Sequence, residues 1–253
     1  MPVMDEFQKE REELKTKSFK EKASYFWYYY KWWVIGILVA IICIINTVRG
    51  ILNRTENLLL VYLLNVYEQE SASEQITEAF LTENEIDTSK YNIELNANLT
   101  ISDDYATDTQ ANQQIIAAHI FSGELDMVIT DELLMQMYVY NGYLLPLSKY
   151  LDEDFITAHA DDLYYIDQIQ LEELQEKMQE NPTLSYDDFT LKDPTKPEEM
   201  EQPVAVGLLL DNCEKFNANY ESMDESMEHM IVGVIGNSSH IELAGKFIRF
   251  LWK

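Results

Sequence analysis

Residues 25 to 46, YFWYYYKWWVIGILVAIICIIN, constrain this chain more than any other stretch. Eight of the nine positions from Tyr25 to Trp33 are aromatic, and nearly pure aliphatics follow. From Trp32 to Val48 seventeen residues carry no charge, which at about 1.5 Å per helical residue spans roughly 25 Å, near the hydrocarbon thickness of a bilayer. A core helix of a soluble domain would not gather Trp27, Tyr28, Tyr29, Tyr30, Trp32 and Trp33 at one end, whereas amphipathic rings are stable at headgroup level. Lys31 inside that belt can lay its stem on apolar surface and keep its ammonium in water. A cleavable secretion signal needs an apolar core close to the start and a small-x-small site; here the core opens at Trp32 and runs into Asn46, Thr47, Val48 and Arg49. Cys43 follows Ala40, Ile41 and Ile42 rather than the small residue of a lipid-attachment box, and reads as an apolar filler. The expectation is a transmembrane helix over residues 25–48.

Lys9, Arg11, Lys15, Lys17, Lys20, Lys22 and Lys31 precede the apolar run, and only Arg49 and Arg54 follow it closely. The positive-inside rule then puts a juxtamembrane segment, residues 1–24, in the cytoplasm and residues 55–253 outside the cell membrane. The segment MDEFQKEREELKTKSFKEK reads as a charged surface helix leading into the span. Nine of the chain's 18 Lys and Arg lie within residues 1–54 and nine beyond, whereas 39 of its 45 Asp and Glu lie beyond residue 54, a balance of −30 there. A field of that sign repels nucleic acid and anionic headgroups and favours cationic or neutral partners. Cys213 is the one cysteine beyond the span, so no intrachain disulfide forms there and packing must hold the domain. About two hundred residues suffice for that.

NLLLVYLLN, residues 57–65, is an apolar run of the kind buried on both faces of a sheet. Ser71 with Glu74 makes a capping-box pattern opening the helix ASEQITEAFLTEN, with Ile76, Phe80 and Leu81 on one face. YNIELNANLT alternates as a strand, with Tyr91, Ile93 and Leu95 on one side. Thr107 and Gln110 repeat the capping pattern before a helix that ends at Gly123. The strand LDMVIT follows, then a helix opened by Asp131 and stopped by Gly142, then an extended YLLPLSKYL. The order β-α-β-α-β-α-β implies an α/β domain built on a mainly parallel sheet.

Residues 152–201 contain no glycine and sixteen acidic residues against three lysines; within them Leu171, Leu174 and Met178 keep helical spacing. Prolines at 194, 197 and 203 mark a loop returning to the sheet. PVAVGLLLDN and MIVGVIG read as two further strands. In the final helix Ser239 with Glu242 makes a third capping box, Leu243, Phe247 and Leu251 share a face, and Lys246, Arg249 and Lys253 suit the negative pole.

GELDMVITDELLMQMYVYNGYLLPLSKYL resembles the section of bacterial extracellular solute-binding proteins in which a strand ending in a residue such as Asp126 leads to a helix, an Asn-Gly turn and a Leu-x-Pro-Leu strand. MIVGVIGNSSHIELAGKFIRFLW is similar to their closing strand and helix. With residues 57–100 the resemblance covers half of the exported part. It implies a periplasmic-binding-type fold with ligand held between two lobes. Only about fifty residues, 152–201, stand where the family has a second lobe, so that region is expected as an acidic insertion or a reduced lobe. A retained span also replaces the family's usual anchor. The start, KSFKEKASYFWYYYKWW, resembles uncharacterised single-pass proteins of Gram-positive bacteria.

In open parallel sheets ligands meet the carboxyl ends of strands and the helix N-termini beside them. That rule selects Asn65 and Tyr67 after the first strand, Thr130 and Asp131 after the third, Asp211 and Asn212 after PVAVGLLL, and Asn237 and Ser238 before the last helix. Each residue type is equally at home as a cap or turn. Asp131 with Asp211 suits an amine or a cation. The acidic pairs Asp103-Asp104, Asp161-Asp162 and Asp187-Asp188, and Asp152-Glu153-Asp154, lack the spacing of a calcium loop, and the four histidines lack metal-ligand spacing. No nucleophile elbow, phosphate loop or dinucleotide fingerprint is present, so no cofactor and no catalysis are implied. Two functions follow. One is a membrane-anchored extracytoplasmic binding protein for a small or peptidic ligand. The other is an accessory or scaffold subunit of a membrane protein complex that keeps the fold without a cleft.

Overall fold

The computed structural model describes residues 18–52, 55–101, 106–181, 183–184, 189–223 and 229–253. Most of the charged segment over residues 4–22, the pairs Asp103-Asp104 and Asp187-Asp188, and the side chain of Thr107 lie outside that description. The chain divides into Met1–Arg54 and Thr55–Lys253. In the first unit α1 runs Phe19–Leu52. Its segment Tyr30–Gly50, 21 residues of mean hydropathy 2.1 with none of it buried, is long and apolar enough to cross a membrane.

The second unit is a mixed α/β domain. Its strands are β1 (Glu56–Leu64), β2 (Val66–Glu68), β3 (Tyr91–Leu99), β4 (Met127–Asp131), β5 (Leu163–Asp167), β6 (Pro203–Leu209), β7 (Tyr220–Ser222) and β8 (Met230–Val234). Its helices are α2 (Ala72–Glu83), α3 (Ala106–Ser122), α4 (Glu132–Tyr140), α5 (Glu153–Ala158), α6 (Gln168–Glu180), α7 (Glu214–Asn217) and α8 (Ile241–Leu251). Six strands form one sheet in the order β3-β1-β4-β8-β6-β5, and β2 with β7 makes a separate antiparallel ribbon. β3, β1, β4 and β6 run the same way, so the sheet is mainly parallel by direction; β8 and β5 run against them and make three of the five pairings antiparallel.

The apolar run of β1 works as its composition implies. Leu59, Val61 and Leu63 enter one core with α2 and α8, where Phe80 meets Phe247 and Phe250 at 5.2 and 5.3 Å between ring centroids. Leu60, Tyr62 and Leu64 enter the other, with Ile116 and Ile120 of α3, Leu134, Met135 and Tyr138 of α4, and Leu171 and Leu174 of α6. A period of two therefore fills both faces.

Several local expectations are corrected. Ser71 takes a left-handed backbone (φ 58°) and its side chain caps nothing; the Glu68 carboxylate accepts from the Ser73 N–H at 2.6 Å instead. α3 is under way at Ala106, so Thr107 lies inside it. Ser239 does not cap α8, whose flanking residue is His240. YLLPLSKYL is not a strand: Leu144 bridges Ile235, and Leu147–Lys149 coils into a 3-10 turn. Residues 152–201 add to the main sheet, because Leu163–Asp167 pairs with β6 as its outermost strand. The Pro194 carbonyl accepts from the Tyr165 N–H at 2.9 Å, so the loop beyond α6 covers that edge.

Candidate functional site

The antiparallel course of β8 divides the expected site residues between opposite edges of the sheet. Asp131 is in register with Met230, and Met127 with Val234. Asn237 and Ser238, just past β8, therefore sit at the amino end of β4, away from Asn65, Thr130, Asp131, Asp211 and Asn212. A single cleft lined by all of them does not form, since the carboxyl-end rule presumes strands of one direction.

At the carboxyl edge Asn65, left-handed at φ 57°, closes the end of β1. Its amide oxygen accepts from the Ile101 N–H at 2.7 Å, and its amide nitrogen donates to the Ile101 carbonyl at 3.0 Å and to Asp131 Oδ2 at 2.9 Å. Asp131 is buried, and its Oδ1 accepts from the Leu134 N–H at 3.0 Å as the N-cap of α4. Thr130 is fully buried, and its Oγ1 has no hydrogen-bond partner. Tyr67 lies on the β2–β7 ribbon, 60 % exposed. Asp211 Oδ2 lies 2.7 Å from His229 Nδ1, and Asn212 donates to Asp162 Oδ1 at 2.6 Å. The pairing of Asp131 with Asp211 around one cation is not what these bonds describe; each carboxylate has its own neighbour.

At the opposite edge Asp126 immediately precedes β4 rather than ending a strand, and it is 1 % exposed. Its Oδ2 accepts from the Leu60 N–H at 2.8 Å, while Oδ1 accepts from Ser238 Oγ at 2.5 Å and lies 3.2 Å from His240 Nδ1. Ser238 Oγ accepts in turn from the His240 N–H at 3.0 Å, and Asn237 donates to the Ile120 carbonyl at 2.5 Å. Asp126 is thus a buried hub that ties β1, β4 and the start of α8. Sequence reasoning met this residue as a family marker and missed its role; an acidic residue immediately before an apolar strand was the available signal.

Two further groups were not expected. The buried Tyr62 hydroxyl meets His119 Nδ1, and His119 Nε2 lies 3.7 Å from Glu124. Burial, then the charges of Glu94 and Glu124, push the Tyr62 phenol up to about 12. Asp167 accepts from Lys192 Nζ at 2.7 Å and from the N–H groups of Glu201 and Gln202 at 2.9 and 3.1 Å. Burial works to raise its carboxyl, but those three bonds outweigh it and hold the pKa at about 2. Beside it a cavity of about 20 Å³ is lined by Gln136, Tyr164, Leu171, Leu191 and Lys192 among others. That admits one water, far below the several hundred Å³, about 300 or more, of a ligand pocket. None of the eight expected residues lines it.

No described family of proteins matches the sequence, and no curated protein does. Several solved structures are similar to this chain, among them the following three. A substrate-binding domain assigned to a molybdenum ABC transporter of Clostridium difficile is 12% identical, with 78% of this chain and 93% of that one covered at a TM-score of 0.33. An uncharacterised protein of Listeria monocytogenes EGD-e is 12% identical over 79% and 77% of the two chains, TM-score 0.38. The spermidine/putrescine ABC transporter substrate-binding protein of Streptococcus pneumoniae, solved with calcium and HEPES, is 12% identical over 79% and 78%, TM-score 0.33.

Proposed function

We propose that this chain is a single-pass membrane protein, held in the bilayer by residues 25–48, with its N-terminus cytoplasmic and residues 55–253 outside. On this reading the outer domain is a non-catalytic accessory or scaffold module that works through contact with another membrane protein. The observation that carries the proposal is where the polar side chains at the strand ends are spent. Asn65, Asp131, Asp211, Asn212, Asn237 and Ser238 each have a partner inside the domain, and a ligand would have to break those bonds to reach them. The anchor rests on the apolar length of Tyr30–Gly50 and its belt of rings.

A second reading, capture of a small or peptidic ligand, is favoured by one residue. Thr130, the penultimate residue of β4, keeps a buried hydroxyl without a partner, and such a group gains a bond if a ligand reaches it. Native mass spectrometry of the full chain released from membranes separates the two. The contact reading expects a co-purifying protein subunit and no small mass in fixed stoichiometry. A stoichiometric small-molecule mass that disappears in Thr130→Val would overturn it in favour of ligand capture.

A further inference from the structure

Late in α3 the His119 ring leans on Tyr62 of β1, their ring centroids 5.7 Å apart, and its Nδ1 meets the Tyr62 hydroxyl. The phenol fixes which of the two donates. Burial and the carboxylates of Glu94 and Glu124 push it up to about 12, so it keeps its proton at ordinary pH and donates. Nδ1 therefore accepts, and a neutral imidazole carries its own proton on Nε2, which lies 3.7 Å from Glu124. The three groups make a line from core to surface: Tyr62 is 2 % exposed, and the side chains of His119 and Glu124 are 34 and 66 % exposed.

A second proton on this imidazole goes to Nδ1, the atom that accepts from Tyr62. Two donors then face each other. The phenol has to turn away, and among the described residues its oxygen has no other hydrogen-bond partner; Ile116, Ile120 and Leu125 fill the same apolar core. The new positive charge is drawn outward to Glu124. The remaining neighbours leave this exchange to His119. Glu94 of β3 accepts from Asn57 at 3.0 Å, and Asp126 before β4 is taken by Leu60, Ser238 and His240. The turn before α8 brings the uncharged Asn237 to the Ile120 carbonyl, and Ser122 donates to the His119 carbonyl at 3.2 Å.

We propose that Tyr62 and His119 form a clasp released by acid. With His119 neutral, the phenol's hydrogen bond holds the end of α3 on β1; with His119 charged, that bond is exchanged for the outward pair with Glu124 and the end of α3 loosens. Imidazole is the side chain whose charge changes between about pH 5 and 8, so the device works in mild acid. It goes beyond the accessory-module reading and does not depend on it.

Hydrogen exchange of the full chain in phosphatidylcholine nanodiscs, corrected for the intrinsic pH dependence of amide exchange, reads the clasp at amides 116–125. In the wild type their protection should fall about tenfold between about pH 7.5 and pH 5, as one buried hydrogen bond is lost. Tyr62→Phe should show the lower protection at both pH values. His119→Asn puts an amide oxygen, which takes up no proton, near the place of Nδ1 and should be equally protected at both. Equal wild-type protection at the two pH values would overturn the proposal. So would a fall of the same size in Tyr62→Phe, which would assign the response to another group at this edge, such as His240. If His119→Asn does not fold, Tyr62→Phe still decides, because it removes a single oxygen from a packed ring.

Discussion

Asn65 at the end of β1 and Asp131 at the start of α4 are joined by a 2.9 Å hydrogen bond, and each is also bonded to backbone. These two of the eight residues that the sequence marks for a ligand instead hold adjacent strand ends to a helix N-terminus. Asp131→Ala removes a cap worth about 1 kcal/mol and leaves a half-buried amide donor short of an acceptor, at about 1–3 kcal/mol more. Denaturant unfolding should show a loss of about 2–4 kcal/mol. Asn65→Ala should be worse than Asn65→Gly by about 1–2 kcal/mol, because glycine takes the left-handed backbone without the steric cost that the alanine Cβ meets there. Equal stabilities for the two Asn65 variants would contradict this account of the turn.

Gly245 lies in α8 where an added Cβ would run into the Tyr150 carbonyl oxygen. Alanine inside a helix gains about 1 kcal/mol of propensity over glycine, while overpacking against backbone costs about 1–3 kcal/mol. The backbone cannot rotate aside, so the clash should win. Gly245→Ala is expected to lower the melting temperature, and an increase would show that the loop carrying Tyr150 yields easily.

Asp167 gives the domain an acid-sensitive latch on residues 190–202. Its folded pKa of about 2 lies below the ordinary 3.8, so its contribution is complete above about pH 4 and is lost as pH falls toward 2. The bonds at risk are those from Lys192, Glu201 and Gln202. Wild type should melt higher than Asp167→Asn at pH 5, with the gap closing between pH 4 and 2. A gap independent of pH would assign the difference to packing instead.

The membrane orientation is checked by labelling. In a Cys43→Ser background Cys213 is fully buried, and burial pushes its thiol up to about 11, so it stays silent. A membrane-impermeant maleimide should modify Thr88→Cys, an exposed position, in intact cells and Ser18→Cys only after permeabilisation. The reverse pattern would turn the chain around.

Much of this architecture was legible because burial leaves periodic traces. β1 shows as an unbroken apolar run, α4 as an apolar helix with Asp131 before it and Gly142 after it, and α8 as an apolar face through Phe247 and Leu251. β5 was hidden, since LYYID is five residues inside an acidic stretch and two of its apolar side chains are tyrosines. β2 and β7 are three residues each, too short to show a period. The direction of β8 had no local signature: it follows from how α7 and β7 return the chain, and it alone moved Asn237 and Ser238 to the far edge. The capping boxes at Ser71 and Ser239 had the right spacing, but Glu68 and Ser238 reach the same N–H region from outside the motif.

The most direct test of the central claim is photo-crosslinking in intact cells. A photoreactive amino acid is placed in turn at Leu133, Phe121 and Tyr67, the exposed apolar positions on α4, α3 and the β2–β7 ribbon. The contact account predicts a discrete adduct with another protein from at least one of these positions. Failure of all three positions to capture a protein, in cells where Thr88→Cys confirms that the domain has reached the surface, would contradict it.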